Sequence, residues 1–485
     1  MDLLSQEKIL VTGATGYVGG RLVSLLLNKG YKVRCFVFGK KRLKRPGWEK
    51  ADIVNGDILQ YETLSSAMKG VSIAYYLVHP MSADKQLEKP ECTAARNFAQ
   101  AAKEAGVKRI IYLSSLADEN IQHSGHLETR SKTATILRDS GIPVTEFQAG
   151  QIIGSGSLAF ELLRQITEIL PVILVPRWAY SKLQPIAVRD ILRYLSECIA
   201  LPETVGRTLQ IGGSTVLSYL DMISIYAKLR GLKRPYINLP YLTSFLTAVF
   251  TDILTAIPQK MALPIIEILQ KDAVLHDNVA ESVFNFVPLS FEEAVSLATE
   301  NTYNDSVETA WFSTESYTQK TPLLLKESIT KYKLEVEAVV EATPEAVFRS
   351  ISCIGGKNGW YFANRLWSVR AFIDRIAGGW GFRRGRRSLK ELREWDIIDF
   401  WRVEELDENK LIIFRSEMKM PGQTWLLFEI VPVSPTETTL ILKSFYEPGS
   451  FWGHIFWYVL LPAHPFLYKG MLKEIAAVAR EDKEC

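Results

Sequence analysis

Apolar and polar positions along the chain fall into two regimes, and the change comes at Lys331. Before it, short apolar runs alternate with segments of helical period. Ile9 to Val11 reads as a buried strand, and Val18 to Leu27 as a helix that Gly30 stops. Lys32 to Val37 is a second strand, and Ala51 to Leu59 a third that contains Gly56-Asp57. Helices at Tyr61 to Lys69, Pro90 to Gly106 and Thr129 to Ser140 then separate strands at Ser72 to Val78, Arg109 to Ser114 and Val144 to Gln148. Pro90 suits a first helical turn, while Gly70 and Gly141 are stops. Strands alternating with helices at this spacing predict right-handed crossovers on a parallel sheet, an α/β fold, for residues 1 to about 215. From Thr215 to Glu300 the chain reads as helical and apolar, broken at Gly231, Pro235, Pro240, Pro258 and Pro264. Residues 301 to about 328 are polar and weakly periodic and read as a linker.

After Lys331 the period becomes two. Tyr332, Leu334, Val336, Ala338 and Val340 alternate with mostly charged residues, as in a half-buried strand. Thr343 and Pro344 are the N-cap and first position of a short helix. Ile397 to Val403, Leu411 to Met418, Thr424 to Val431 and Thr438 to Phe445 read as successive strands. Their turns are Asp407-Glu-Asn, Pro421-Gly and Ser434-Pro, and a helix from Gly470 to Glu481 closes the chain. Strand, short helices, antiparallel meander and long last helix is the order of an α+β helix-grip domain, expected over residues 329–485.

The chemistry begins between the first strand and helix, where Gly13, Gly16 and Gly19 stand three residues apart. In this spacing the first glycine permits a tight turn and the second lets the backbone approach a pyrophosphate. The third lets the helix pack against the sheet, and the helix N-terminus turns its N–H groups and positive dipole end to the phosphates. Thr15, Tyr17 and Val18 lie in the same turn and complete the expected cradle. Where strand two ends, an acid would accept from the 2′-hydroxyl of NAD, whereas bases suit the 2′-phosphate of NADP. Phe38 ends that strand without a carboxylate nearby, and Lys40, Lys41 and Arg42 follow in Gly39-Lys-Lys-Arg-Leu-Lys-Arg. NADP is the expected cofactor, with NAD as the alternative; a merely solvated basic loop would leave the choice open.

Length and composition narrow the field further. The 485 residues suffice for two to four domains with cores of their own, and 47% hydrophobic and 23% charged residues describe an ordinary globular chain. A net charge of +3 is too small to argue for nucleic acid as a partner. Five scattered cysteines show no metal spacing and fit a reducing compartment without a disulfide framework. The first strand starts within the opening residues, so no signal peptide is expected and the cytoplasm is the default location. Two long uncharged stretches, Pro235 to Thr251 and Pro448 to Tyr468, are interrupted by Pro, Gly and His or Asn and read as core or ligand-lining segments. Peripheral membrane contact is the alternative for the second, through Phe451, Trp452, Phe456, Trp457 and Tyr458.

The stretch Gly13-Ala-Thr-Gly-Tyr-Val-Gly resembles the short-chain dehydrogenase/reductase superfamily in its extended and atypical branches. The resemblance implies a Rossmann-type sheet, with Asp57 and Ile58 against the adenine and with Val78 and His79, just past strand four, near the nicotinamide. It also implies a Ser at the end of strand five and a Tyr-x-x-x-Lys on the next helix, where the Lys lowers the tyrosine pKa. Strand five ends in Ser114-Ser115, but counting back from Lys132 the tyrosine position holds Glu128, and no Tyr occurs between Tyr112 and Tyr180. The usual proton relay is therefore missing. Ser114, Ser115, His123, His126, Glu128 and Lys132 remain. His126 or Glu128 would serve as acid or base if a pocket desolvated it, and Lys132 would meet the nicotinamide ribose. A solvated loop is the plainer reading for the histidine and the glutamate.

Tyr75-Tyr-Leu-Val-His, Gln148-Ala-Gly-Gln-Ile-Ile-Gly-Ser-Gly-Ser, Pro176-Arg-Trp and Gln184-Pro-Ile-Ala-Val-Arg-Asp narrow the resemblance, over roughly residues 5 to 300, to NmrA-like and YbjT-like NAD(P)-binding proteins. In such proteins the region from about 215 covers the substrate. Gly378-Gly-Trp-Gly-Phe-Arg-Arg-Gly-Arg-Arg, Asp399-Phe-Trp-Arg-Val and Glu417-Met-Lys-Met-Pro-Gly resemble a domain of unknown function, DUF2867, often fused to that subgroup. Its Trp and Phe residues would line an apolar cavity or fill a structural core. Arg383, Arg384, Arg386 and Arg387 would hold an anionic head group or form a solvated, self-repelling loop. Three functions follow as expectations. One is an NADPH-dependent oxidoreductase for an apolar or amphipathic small molecule. Another is a non-catalytic NADP(H)-binding, redox-sensing or assembly protein, and the last is a lipid or quinone carrier. The oligomeric state stays open.

Overall fold

The computed structural model describes residues 7–38, 45, 47–78, 88–116, 125–255, 257, 259–304, 306–311, 332–376, 379, 381, 386–388 and 391–481, without the side chains of 88–89, 125–128, 253, 260, 303, 357 and 375. The chain forms two compact units, residues 1–317 and 318–485.

The first unit follows the strand–helix alternation of its sequence. Its first half runs β1 (Lys8–Thr12), α1 (Tyr17–Asn28), β2 (Lys32–Val37), β3 (Asp52–Asn55), α2 (Tyr61–Met68), β4 (Ile73–Tyr76), α3 (Glu88–Glu104), β5 (Arg109–Ser115), α4 (Gly125–Arg138) and β6 (Val144–Ala149). Then come β7 (Ile152–Ile153), α5 (Leu158–Ile169), β8 (Ile173–Val175), β9 (Lys182–Leu183), β10 (Ile186–Ala187), α6 (Val188–Glu197) and β11 (Thr208–Ile211). The rest is mainly helical: β12 (Leu217–Ser218), α7 (Tyr219–Leu229), β13 (Tyr236–Asn238), α8 (Ser244–Leu254), α9 (Gln259–Ile268), α10 (Val279–Phe284) and α11 (Phe291–Tyr303).

Seven strands form one parallel sheet in the order β11-β6-β5-β4-β1-β2-β3. The all-apolar centre of β1 is fully buried, as a central parallel strand covered on both faces must be. The order reverses between β1 and β4, which opens a crevice at the carboxyl ends of these two strands. Helices α5, α7, α9 and α11 share a second apolar core built from Phe160, Tyr226, Ile266 and Phe291 among others.

Two expectations change here. The third strand stops at Asn55, because the Asp57 carboxylate accepts the Leu59 N–H at 2.9 Å and turns the chain into α2. Pro264 does not break the chain but sits inside α9, which continues past it with Ala262, Ile265 and Ile266 buried in the core.

The second unit comprises β14 (Tyr332–Val340), α12 (Pro344–Ser352), α13 (Asn364–Ile376), β15 (Ile397–Ile398), β16 (Trp401–Asp407), β17 (Leu411–Ser416), β18 (Gly422–Ser434), β19 (Glu437–Pro448), α14 (Phe451–Leu460) and α15 (Ala463–Arg480). Its six strands are antiparallel in the order β14-β19-β18-β17-β16-β15. The last helix packs Tyr468, Met471, Leu472, Ile475 and Ala479 into the core that the sheet also lines. Thr343 caps α12 by accepting the Ala346 N–H, with Pro344 in the first turn.

The stretch read as one strand from Ile397 to Val403 is a hairpin: Asp399 takes φ +56°, and Ile398 pairs back onto Trp401. The final helix starts at Ala463 rather than Gly470, since Pro465 falls in its first turn, where no N–H is needed. Trp360, Trp367, Phe400 and Trp401 are buried against one another, ring on ring. Arg383 and Arg384 lie outside the described residues, but Arg386 and Arg387 form neither a solvated loop nor an open anion site. Arg387 makes a buried bidentate pair with Asp396 at 2.9 Å, and Arg386 donates to the carbonyls of Ile354 (2.6 Å) and Ser352 (2.7 Å).

Asp399 is buried at the hairpin turn and accepts from the Trp360 indole N–H at 3.0 Å. Burial pushes its carboxyl up to about 6, against the pull of Trp360 and of the Arg386 charge. A folded-state pKa above the unfolded one contributes stability below the unfolded value and loses it as pH rises through the folded value. Asn keeps an acceptor for Trp360 and tolerates the left-handed turn. Asp399→Asn is therefore expected to stabilise the second unit by about 3 kcal/mol near pH 8 and hardly at all near pH 4, read by denaturant unfolding followed through tryptophan fluorescence.

Candidate functional site

The turn after β1 is set by sterics. Gly13 takes φ +68°, where a Cβ would stand 2.5 Å from the carbonyl oxygen of Leu77, just beyond β4. The Gly16 N–H closes the turn on the Gly13 carbonyl at 2.9 Å. A Cβ on Gly19 would lie 2.1 Å from that same carbonyl oxygen. The third glycine thus serves close packing of α1 on its own entry turn rather than on the sheet. Gly16 is the N-cap of α1 and has no side chain to spend on the first-turn N–H groups. Those of Tyr17 and Val18 stay at the mouth of the crevice between β1 and β4. Such a turn has the shape of a pyrophosphate cradle, and a Cβ on Gly13 or Gly19 would not fit it.

Several side chains hold the cradle that the sequence did not single out. Arg21 is buried one helical turn after Tyr17, and its guanidinium lies 4.2 Å from the Tyr17 ring centroid. It donates to the carbonyls of Ser155 (2.9 Å) and Thr309 (3.2 Å) and to the Thr309 hydroxyl. Thr309 in turn donates to the Tyr17 carbonyl at 2.8 Å. Gly154 and Gly156 leave room for this meeting: Cβ atoms there would strike the Tyr17 hydroxyl and the Thr309 carbonyl oxygen, both at 2.5 Å. Thr309 lies in the stretch read as a linker, so residues 306–311 pack on the first unit, and nothing in their composition signals it. Arg21 carries one clue, a charge on the buried side of an otherwise apolar helix.

Arg45, the last residue of the basic run after β2, donates to the Thr15 carbonyl at 3.2 Å and stacks on Trp48 at 5.1 Å from its centroid. It brings a cation to the rim of the glycine turn. Lys40 and Lys41 lie outside the described residues, as does His79. Asp57 and Ile58 follow β3: Ile58 is buried in the core beside Phe36 and Leu64, and Asp57 turns the chain into α2. Val78 is partly buried, and its backbone N would lie 3.0 Å from a Cβ on Gly13.

Of the candidate catalytic residues, Ser114, Ser115 and Lys132 have described side chains. Ser114 is buried and donates its hydroxyl to the buried Glu146 of β6 at 2.7 Å. Arg138 approaches the second oxygen of that carboxylate at 3.6 Å. Lys132 is exposed on α4. His126 and Glu128 lie on the first turn of the same helix, where only the backbone is described, and His123 lies outside the described residues. Tyr17 has a buried hydroxyl, and burial pushes it up to about 12; burial likewise raises Tyr75 and Tyr112.

A family model described as the NmrA-like family matches residues 5–285, and one described as a protein of unknown function (DUF2867) matches residues 331–471. The chain is 26% identical over 251 residues to a photosystem II assembly factor, Ycf39, of Guillardia theta, covering 49% of this chain and 77% of that protein. It is 32% identical over 124 residues to cinnamoyl-CoA reductase 1 of Petunia hybrida, covering 24% of this chain and only 37% of the reductase. Among solved structures, a nucleoside-diphosphate-sugar epimerase of Staphylococcus aureus superposes with a TM-score of 0.50 at 17% identity, over 59% of this chain and 99% of that one. At that identity the likeness concerns the fold alone.

Two glycine substitutions separate the cradle from ordinary helix punctuation. Gly19→Ala is expected to weaken dinucleotide binding by about tenfold or more. Gly30→Ala, whose Cβ would meet nothing but whose φ is +86°, should cost about 1 kcal/mol of stability and leave binding intact. Fluorescence titration with NADPH together with thermal melts distinguishes the two.

Proposed function

The chain belongs to the NmrA-like family of NAD(P)-binding proteins, and on that premise we propose that it is an NAD(P)H-dependent oxidoreductase acting on an apolar or amphipathic small molecule. The carrying observation is the glycine cradle at the strand-order reversal, with Gly13 and Gly19 too close to neighbouring backbone for any side chain. Tyr17 and Val18 would hold the pyrophosphate through backbone N–H groups at the start of α1, with Gly16 letting it approach the turn. When bound there, the cofactor supplies or accepts hydride at its nicotinamide.

The chain's own residues do the rest. Arg45 favours NADPH, since a guanidinium at the glycine turn suits the 2′-phosphate and Phe38 leaves no acid to compete for a 2′-hydroxyl. Lys132 on α4 is the residue assigned to the nicotinamide ribose, and Glu128 or His126 on the same helix is assigned the proton transfer. A second reading, an accessory protein that binds the dinucleotide without turnover, is favoured by Ser114, whose hydroxyl is spent on Glu146.

The test begins with titration of the purified chain with NADPH, NADP, NADH and NAD, followed by nicotinamide fluorescence. Binding of the phosphorylated pair with consumption of NADPH on lipophilic carbonyls or enones is the expected result. Binding with no turnover on that panel favours the accessory reading, and no binding of any of the four removes both. Arg45→Ala is expected to lower the ratio of NADPH to NADH affinity by roughly tenfold, the worth of one charge-assisted phosphate contact.

A further inference from the structure

An ordinary surface helix turns its apolar stripe to the core and its charged residues to water. Helix α13 does the reverse. Its inward stripe is Trp367, Ala371 and Asp374, and the Asp374 carboxylate is satisfied by the backbone N–H groups of Lys419 (2.7 Å) and Gly381 (2.9 Å). Its outward positions are Leu366, Val369, Phe372, Ile373 and Ile376, each more than half exposed. Helix α14 repeats the pattern. It has no charged residue at all, and Phe451, Trp452, Ile455, Tyr458 and Val459 share one exposed side, with Trp452 70% exposed.

The two faces adjoin. The Arg370 guanidinium of α13 lies 4.8 Å from the ring centroid of Phe456 in α14. Phe362, just before α13, packs at 5.2 Å on Phe466 of α15, itself exposed. Soluble monomers seldom show contiguous apolar surface beyond a few hundred Å², and larger patches mark a binding face. We propose that this three-helix face of the second unit docks the protein on an anionic lipid bilayer, lying in the interface rather than crossing it.

Three observations select a bilayer as the occupant. First, the exposed aromatic set includes Trp452 and Tyr458, whose amphipathic rings suit the headgroup level. Second, the exposed charge described on α13 and α14 is positive. Arg365 on α13 and Lys469 at the end of the uncharged stretch are exposed, and the sole acid of α13 and α14, Asp374, is turned inward and satisfied. A symmetric pairing with a second copy would bring these cations together with no exposed acid from either helix to offset them, whereas anionic headgroups offset them directly. Third, α13 and α14 have 13 and 10 residues, and no helix among the described residues is long and apolar enough to cross a membrane.

This inference does not rest on the dinucleotide site. Its test is co-sedimentation of the full chain with vesicles of phosphatidylcholine alone and of phosphatidylcholine with phosphatidylglycerol. Binding is expected to both and to be tighter with phosphatidylglycerol. Phe372→Ser and Trp452→Ser should each weaken it roughly tenfold without shifting the melting temperature, because both side chains already face water. Arg365→Glu should weaken binding roughly fivefold or more on the anionic vesicles only. Failure to bind either vesicle overturns the proposal. So does binding that survives Phe372→Ser and Trp452→Ser but is lost with Phe245→Ser on the exposed side of α8 in the first unit. A dimer on size exclusion that these two variants dissociate, with no vesicle binding, assigns the face to a second copy instead.

Discussion

The carbonyl oxygen of Gly13 occupies the space where a side chain on Gly19 would begin, and the rest of the first unit is arranged around that contact. A helix can start so close to the strand before it only if its first turn carries no Cβ there. The closeness aims the N-terminus of α1 at the ends of β1 and β4, where the sheet changes direction. Distant segments converge to hold the helix in place. Ser155 and Thr309 both meet Arg21 on its buried side, and Gly154 and Gly156 keep the approach clear. A buried guanidinium is costly unless its donors are satisfied, and here backbone carbonyls satisfy it, so the cation becomes a fastening instead of a liability.

The sequence places Glu128 where the reductase pattern would put its tyrosine. A phenol donates and accepts protons near neutrality only when a neighbouring cation stabilises its anion. Tyr17, Tyr75 and Tyr112 are enclosed in low-dielectric surroundings that push them the other way. Ser114 donates its hydroxyl to the buried Glu146 carboxylate of the neighbouring strand. What the site keeps is the means to hold a dinucleotide. On α4, Lys132 is exposed.

In the second unit polar groups lie inside and apolar ones outside to an unusual degree. Arg387 with Asp396 and the Trp425 indole with Glu404 are buried pairs, and the buried Arg402 meets the half-buried Glu417. Such pairs repay their desolvation only when geometry and hydrogen bonds are complete, and losing one partner is expensive because the other is left uncompensated. Arg386, Arg387 and Asp399 therefore belong to the framework around the hairpin turn. The exposed apolar side chains of α13 and α14 lie on its helical surface.

Much of this was legible in the chain. The buried run of β1, the glycine triplet, the left-handed stop at Gly30 and the two-residue period of β14 depend on neighbours in sequence, and sterics or periodicity state them outright. Even the missing tyrosine is plain from counting back from Lys132. What stayed hidden depends on partners far along the chain. Nothing near Thr309 says that it will close over Tyr17, nothing near Ser114 says that Glu146 will take its hydroxyl, and the strand read through Asp399 folds into a hairpin. Nor does a helical wheel of α13 say which side faces out, since a stripe of Leu, Val, Phe and Ile is ordinarily core. Local sequence determined the elements and the phosphate cradle, because those follow from dihedral freedom and spacing. Tertiary structure alone decided which polar groups are spent on one another and which apolar faces remain uncovered, because burial and hydrogen bonding belong to pairs of residues and not to either one.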